Sequence, residues 1–205
     1  MDSKEAWNSV YKKYMTSIAW GDEAWINWCV ELLSKYITTT GKMLDYGCGT
    51  GTIAHHFMDK GYQVELAELS DVLIQKLKNT YDVPVYAVSS PNEIKKTNYY
   101  DYIISMGVFQ HISPDKWSDF LSHFHSMLKE KGTLIITGWD DKDEILNSEG
   151  ISRFTKNKIY GITSLEKLAI ENPYRTIATG TEKLKMKMYP DGRLFRYFVL
   201  QKDSN

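Results

Sequence analysis

From Lys42 onward, short apolar runs alternate with stretches whose apolar residues recur three and four apart, which predicts strands and helices in turn. Met43-Leu44-Asp45-Tyr46 reads as a buried strand running into glycines. Ile53, Ala54, Phe57 and Met58 then form one helical face, closed by Gly61 as a C-terminal cap. Residues 64–68 read as a second strand, and a helix capped by Ser70 or Asp71 follows, with Leu73, Ile74 and Leu77 on its inner face. Residues 83–88 and 102–106 suit a third and a fourth strand. Ser113-Pro114 is expected to open a helix, serine as cap and proline in the first turn, with Trp117, Phe120, Leu121, Phe124 and Leu128 inside and Gly132 at its end. Residues 133–137 form a fifth strand. Thr163-Ser164-Leu165-Glu166 resembles a capping box for a last helix that Pro173 stops. Residues 183–188 and 193–200 alternate around Pro190-Asp191-Gly192, a turn signal between two antiparallel strands.

Ahead of this alternation, Trp25, Cys29, Leu32, Leu33 and Tyr36 share one helical face, with Asp22 as N-cap. Before them Trp7, Tyr11, Tyr14 and Trp20 are interleaved with charge. The pattern predicts an α/β fold: a mostly parallel, doubly wound seven-stranded sheet, helices on both faces, and a C-terminal antiparallel hairpin. With 205 residues we expect one domain, residues 1–40 forming a helical lid or substrate segment and 41–205 the core. Ligands of such sheets bind outside the carboxyl ends of the strands, where strand order reverses.

Composition narrows the class. The chain is 42% hydrophobic and 25% charged, ordinary for a globular protein. A net charge of -1 argues against a coat for nucleic acid or anionic membrane. Cys29 and Cys48 are too few for a disulfide framework or a four-cysteine zinc site, and no metal is expected. The opening MDSKEAWNSV lacks the pattern of a secretory signal, and no run reaches the roughly 18 apolar residues of a membrane span. The expected compartment is the cytoplasm.

Asp45-Tyr46-Gly47-Cys48-Gly49-Thr50-Gly51 joins the first strand to its helix. Alternate glycines let the backbone turn sharply and approach a ligand that a Cβ would exclude. Glu68 ends the second strand, where a carboxylate can accept hydrogen bonds from both ribose hydroxyls. At a strand end, its removal is expected to spare the fold. A tight strand-to-helix turn alone would explain the glycines, but not the acid as well. The dinucleotide fingerprint G-x-G-x-x-G requires glycine where this chain has Thr52.

The form D-x-G-x-G-x-G resembles motif I of the class I S-adenosylmethionine-dependent methyltransferases. Ala67-Glu68-Leu69-Ser70 is similar to that family's second-strand end, residues 100–105 with 108–112 to its fourth strand and the turn after it, and residues 132–136 to its fifth. The resemblance spans residues 42–138 and reaches no single member. It implies S-adenosylmethionine as cofactor. Asp45, Gly47, Cys48, Gly49 and Gly51 would line the methionine side, Glu68 and Leu69 the ribose and adenine, and Met106 and Gly107 would lie beneath the methionine moiety and sulfonium. Ser89-Ser90 stand where members often place an acid near the adenine amine; serine can still hydrogen-bond there, with Asn92 or Glu93 as substitutes.

Among the histidines, His111 follows the fourth strand at the carboxyl edge and is the candidate base or, equally, a loop anchor. Tyr11 and Tyr14 are reserve catalytic candidates on the lid. His123 and His125 face apart on one helix and are read as solvated. Cys48 is read as a small residue in a crowded turn. Asp140, Asp141 and Asp143 read as a solvated acidic loop, and Lys183, Lys185 and Lys187 as an exposed strand face. The cytosine-C5 and amino-methylation signatures are absent after strand four; Asn172-Pro173-Tyr174 lies after the last helix and reads as a helix stop. The leading expectation is therefore methyl transfer to a small polar metabolite at oxygen, with no nucleic acid or membrane partner. Lys183, Lys185, Lys187, Arg193 and Arg196 hint at a phosphorylated or nucleotide-linked sugar. The alternatives are a non-catalytic cofactor-binding module and a nicotinamide oxidoreductase. Acceptor recognition falls to residues 1–40, the segment after His111, and residues 139–162.

Overall fold

The structure, a computed structural model, describes residues 2–14, 22–148 and 150–203. Trp20 and the Tyr14 side chain lie outside the described part. Two helices, α1 (Ser3–Tyr14) and α2 (Glu23–Tyr36), precede the sheet. Then follow β1 (Lys42–Tyr46), α3 (Thr52–Met58), β2 (Gln63–Glu68), α4 (Asp71–Thr80), β3 (Val85–Ala87), β4 (Tyr100–Met106), α5 (Trp117–Met127) and β5 (Leu128–Trp139). The last elements are α6 (Glu144–Ser148), α7 (Leu165–Glu171), β6 (Tyr174–Met186) and β7 (Tyr189–Lys202).

The 7-stranded sheet has the order β3-β2-β1-β4-β5-β7-β6. Its first five strands run parallel, and β7 pairs antiparallel with both β5 and β6. Because side chains alternate across a strand, neighbours along one strand serve different cores. Met43, Leu66, Ile104 and Ile135 meet α2, α3 and α4, whereas Leu44, Ile103, Leu134 and Ile136 meet α5 and α7. Strand order reverses between β1 and β4, which puts the end of both at the center of the carboxyl edge.

Local signals held in part. Asp22 caps α2, its Oδ1 accepting from Ala24 N at 3.0 Å, while Oδ2 accepts from Lys187 N at 2.7 Å and ties the hairpin to that helix. Ser70 caps α4, and Gly61 adopts φ 83° after α3. Ser113-Pro114 opens only a 3₁₀ turn over Pro114–Lys116, Ser113 Oγ bonding Asp115, before α5 begins. Gly132 does not end α5. Leu128 already bridges Tyr100, the next pair is Thr133 with Tyr102, and the intervening residues bulge out of β5. The expected capping box does not form: Thr163 Oγ1 accepts from Asp141 N, and Glu166 instead pairs with Arg196 at 3.2 Å. The hairpin turns at Lys187-Met188, since Met186 pairs with Tyr189; Pro190-Asp191-Gly192 is a bulge inside β7. The strand pairing overrode the turn propensity of that tripeptide.

The acidic loop after β5 is a second correction. Asp140 and Asp143 are 4% and 3% exposed. Asp140 accepts from Lys142 N and Thr181 Oγ1, and Asp143 from Ile145 N and Leu194 N, so both clamp the loop to the hairpin. No metal-binding cluster occurs among the described residues, and none of their helices is long and apolar enough to cross a membrane.

Candidate active site

The loop after β1 folds back on β2. Gly47 N and Cys48 N both donate to Ala67 O, at 2.8 and 3.1 Å. Gly47, Gly49 and Gly51 have φ of 75°, 57° and 74°, the left-handed region that disfavours a side chain. A Cβ on Gly47 would stand 2.4 Å from Val108 Cγ2. One on Gly49 would meet a single atom, Tyr11 Oη at 3.7 Å, and so would occupy the cavity itself. Gly51 differs from expectation: it caps α3, its missing Cβ faces Tyr81 and Leu77, and it does not line the cavity.

Glu68 closes this loop from the next strand. Its Oε2 accepts from Gly49 N at 2.9 Å, and its Oε1 from Leu69 N and Ser70 N at 2.9 and 3.0 Å. The carboxylate is 6% exposed; burial raises its pKa against the pull of those three N–H groups. Asp45 is 3% exposed, and burial, then the Glu68 charge, pushes its carboxyl up to about 8. Neither acid has a salt bridge among the described residues. Two buried, unpaired acids beside a glycine cradle suit a ligand carrying hydroxyls and a cationic group. Burial also raises the Cys48 thiol, so it stays protonated, in keeping with a small residue in a tight turn.

A cavity of about 1090 Å³ opens above this loop at the carboxyl edge. Asp45, Gly47, Cys48, Gly49, Glu68, Leu69, Ser89, Ser90, Met106 and Gly107 all border it. The Glu93 carboxylate accepts from Ser89 N, Ser89 Oγ and Ser90 N, which fixes the serine pair. Across the opening lies α1. Asn8 Oδ1 accepts from Ser70 Oγ at 2.8 Å and Lys4 pairs with Asp71 at 2.9 Å, docking the helix on the start of α4. Trp7 stacks on Tyr11, and the ring of Trp7 stands at right angles to His111, 5.0 Å between centroids. Burial raises the Tyr11 hydroxyl well above its ordinary range, with the charge of Glu68 adding.

The other half of the cavity is aromatic and basic. Trp25, Trp139 and Phe195 pack within 4.6–4.7 Å of one another through Phe195, and Tyr189 stands edge-on to Trp139. A flap over residues 150–160 covers one side: Ile151 bridges Lys158, Ser152 N donates to Asn157 O, and Tyr160 N donates to Gln110 O. It brings Arg153, Lys156 and Lys158 to the cavity, joined by Lys116 from the turn before α5. The cations singled out from the sequence do not contribute. Lys183 and Lys185 are exposed on the edge strand β6 and Lys187 in the turn after it, and Arg193 and Arg196 face Asp143 and Glu166. His111 lies at the cavity, and burial lowers its pKa to about 4. His123, expected in solvent, borders the mouth with Nδ1 against Asp119 O, while His125 packs edge-on to Tyr174. Gln110, Trp139, Phe195 and the flap cations have no local sequence signal; only strand pairing and the flap bring them together.

A sheet of this order, with its glycine loop and strand-end acid around one cavity, defines a Rossmann-like nucleoside-cofactor enzyme. Residues 20–181 match the family described as "Methyltransferase domain", and the chain belongs to it. An uncharacterized methyltransferase of Staphylococcus carnosus (strain TM300) is 25% identical over 141 residues, 69% of this chain and 68% of that protein. Another from Alkaliphilus oremlandii (strain OhILAs) is 27% identical over 135 residues, 64% of this chain and 60% of that protein. In fold, the chain resembles Burkholderia thailandensis 1,6-didemethyltoxoflavin-N1-methyltransferase, solved with bound 1,6-didemethyltoxoflavin and S-adenosylhomocysteine. The TM-score is 0.69 at 17% identity, covering 100% of this chain and 92% of that one. The protein is thus an S-adenosylmethionine-dependent methyltransferase.

Proposed function

We propose that the chain methylates a small molecule, at oxygen, within the aromatic and basic half of the cavity. The observation that carries this reading is the division of one cavity into two chemistries: glycine loop and buried acids on one side, aromatic wall and cationic flap on the other. When bound, the cofactor supplies an activated methyl on a sulfonium and a neutral leaving group. Glu68 accepts a hydrogen bond from the ribose through the one lone pair of Oε2 that its backbone contacts leave open, and Leu69 packs against adenine beside Ser89 and Ser90. Asp45 faces the cationic end, above Gly47, Cys48 and Gly49, with Met106 and Gly107 beneath the reacting centre. Gly51 acts at one remove by setting the start of α3.

The helix α1 serves as a lid. Trp7 and Tyr11 sit over the loop and exclude water, while Trp25, Trp139 and Phe195 hold the flat apolar body of an acceptor in line for transfer. The flap cations draw a negatively charged acceptor toward the mouth. An aromatic wall also suits a ring nitrogen as nucleophile, which is the second reading. Titration calorimetry with S-adenosylhomocysteine, followed by labelled-methyl transfer to a metabolite panel, tests both. Transfer to an oxygen of a small anionic compound is expected. Transfer confined to ring nitrogens would replace the first reading by the second, and failure to bind S-adenosylhomocysteine would remove both.

A further inference from the structure

The side-chain amide of Gln110 has one possible orientation. A backbone N–H can only donate, so the contact from Trp139 N at 3.1 Å makes the near atom Oε1 an acceptor, and the far atom is the NH₂ group. That group lies 3.4 Å from His111 Nε2 and must donate to it. Nε2 therefore holds a lone pair, and the single proton of the neutral ring sits on Nδ1. Burial favours the neutral ring throughout the physiological range. Nδ1 is itself buried and has no hydrogen-bond partner among the described residues, and the Trp7 ring stands edge-on to the imidazole. It is an unsatisfied buried donor on a ring that lines the cavity.

We propose that His111 is a hydrogen-bond donor rather than a base, and that its Nδ1–H holds one oxygen of a methyl acceptor that arrives already ionised, a carboxylate. This rests on the reading of methyl transfer to oxygen given above. An imidazole whose unpartnered nitrogen carries the proton, and whose other nitrogen is engaged by Gln110, has no site to take a proton from an alcohol. The Tyr11 hydroxyl is held in its protonated form and does not replace it. A carboxylate needs no base, and its two oxygens divide the work: one accepts from Nδ1–H while the other attacks. A lone pair of that second oxygen forms the new C–O bond, the methyl–sulfur bond breaks with its electron pair kept by sulfur, and no proton is released. The rim agrees, because Lys116, Arg153, Lys156 and Lys158 line the cavity with no salt bridge to any described carboxylate. Gln110 is then a positioning residue that acts through the tautomer of its neighbour.

His123 offers the competing chemistry. Its Nδ1 lies 2.7 Å from Asp119 O, an atom that can only accept, so Nδ1 carries a proton and any base chemistry falls to Nε2. Nitrogen-15 NMR of the full chain saturated with S-adenosylhomocysteine reads the His111 tautomer directly. The expected spectrum has a protonated Nδ1 and a bare Nε2, and addition of benzoate, but not of benzyl alcohol, shifts the Nδ1–H resonance downfield. Gln110→Glu replaces the donor facing Nε2 by an acceptor. It should reverse the tautomer and weaken benzoate binding about tenfold or more, with S-adenosylhomocysteine affinity retained. A bare Nδ1 in the wild type, no response to benzoate, or an equal response to benzyl alcohol would overturn the proposal. The wild-type spectra decide the matter even if the variant does not fold. The tautomer is also readable without cofactor, so loss of S-adenosylhomocysteine binding would count against the site reading and not against this one.

Discussion

Replacing Glu68 separates what this residue does for the fold from what it does for the cofactor. In the structure its carboxylate takes three backbone N–H bonds at 2.9–3.0 Å while 6% exposed. Glu68→Ala would strip acceptors from Gly49, Leu69 and Ser70 together, which corrects the expectation that a strand-end acid can be removed without harm. Each N–H left without its partner costs about 1 kcal/mol where cavity water can reach it, so roughly 3 kcal/mol of stability is at stake. For a chain of this size that lowers the melting temperature by about 6–12 °C. Glu68→Gln is the finer probe. Its carbonyl oxygen can keep the Leu69 and Ser70 bonds, whereas its NH₂ would confront Gly49 N–H, one charge-assisted bond lost for about 1.5–3 kcal/mol. Against the ribose hydroxyls the same exchange should weaken S-adenosylhomocysteine by roughly 10- to 150-fold. Thermal unfolding without ligand and calorimetry with S-adenosylhomocysteine measure the two effects apart. An alanine variant as stable as wild type would mean the loop is not held this way. Unchanged affinity in a folded glutamine variant would remove Glu68 from the cofactor site.

Asp45 should make the ligand-free protein less stable as pH rises. Its folded-state pKa stands near 8 against an ordinary 3.8, so the folded chain keeps the proton longer, and stability falls between those two values. Asp45→Asn should flatten that slope in urea titrations; parallel curves for the two proteins from pH 4 to 8 would contradict it. Gly47→Ala should lose about 1–3 kcal/mol, since its Cβ meets Val108 at 2.4 Å and its φ is 75°, and wild-type stability in urea would show that the turn relaxes freely. Calorimetry should find binding of S-adenosylhomocysteine and none of NAD, because Thr52 interrupts the dinucleotide spacing. With a net charge of -1, methyl transfer to duplex DNA or tRNA should be absent, and robust labelling of either would refute a small-molecule acceptor.

What the sequence determined by itself was local and periodic. Alternating strand and helix patterns, the D-x-G-x-G-x-G loop and an acid at the next strand end are all short-range signals, and they sufficed for the parallel sheet and the glycine loop. Asp22 and Ser70 were legible as caps because a capping side chain bonds its own helix. Where a local signal competed with pairing, pairing won: Gly132 entered β5, Pro190-Asp191-Gly192 became a bulge, and Glu166 left its box for Arg196. The tertiary structure alone decided which charges are buried and which reach the cavity. Asp140 and Asp143 carry the same carboxylate as a solvated loop would, yet Thr181 and Leu194, far along the chain, satisfy them inside. The tautomer of His111 depends on Gln110 beside it and on Trp139 at the end of β5, so no reading of the chain in one dimension could have placed that proton. Hydrogen-bond direction is a property of atoms brought together in space, and the sequence lists only the atoms.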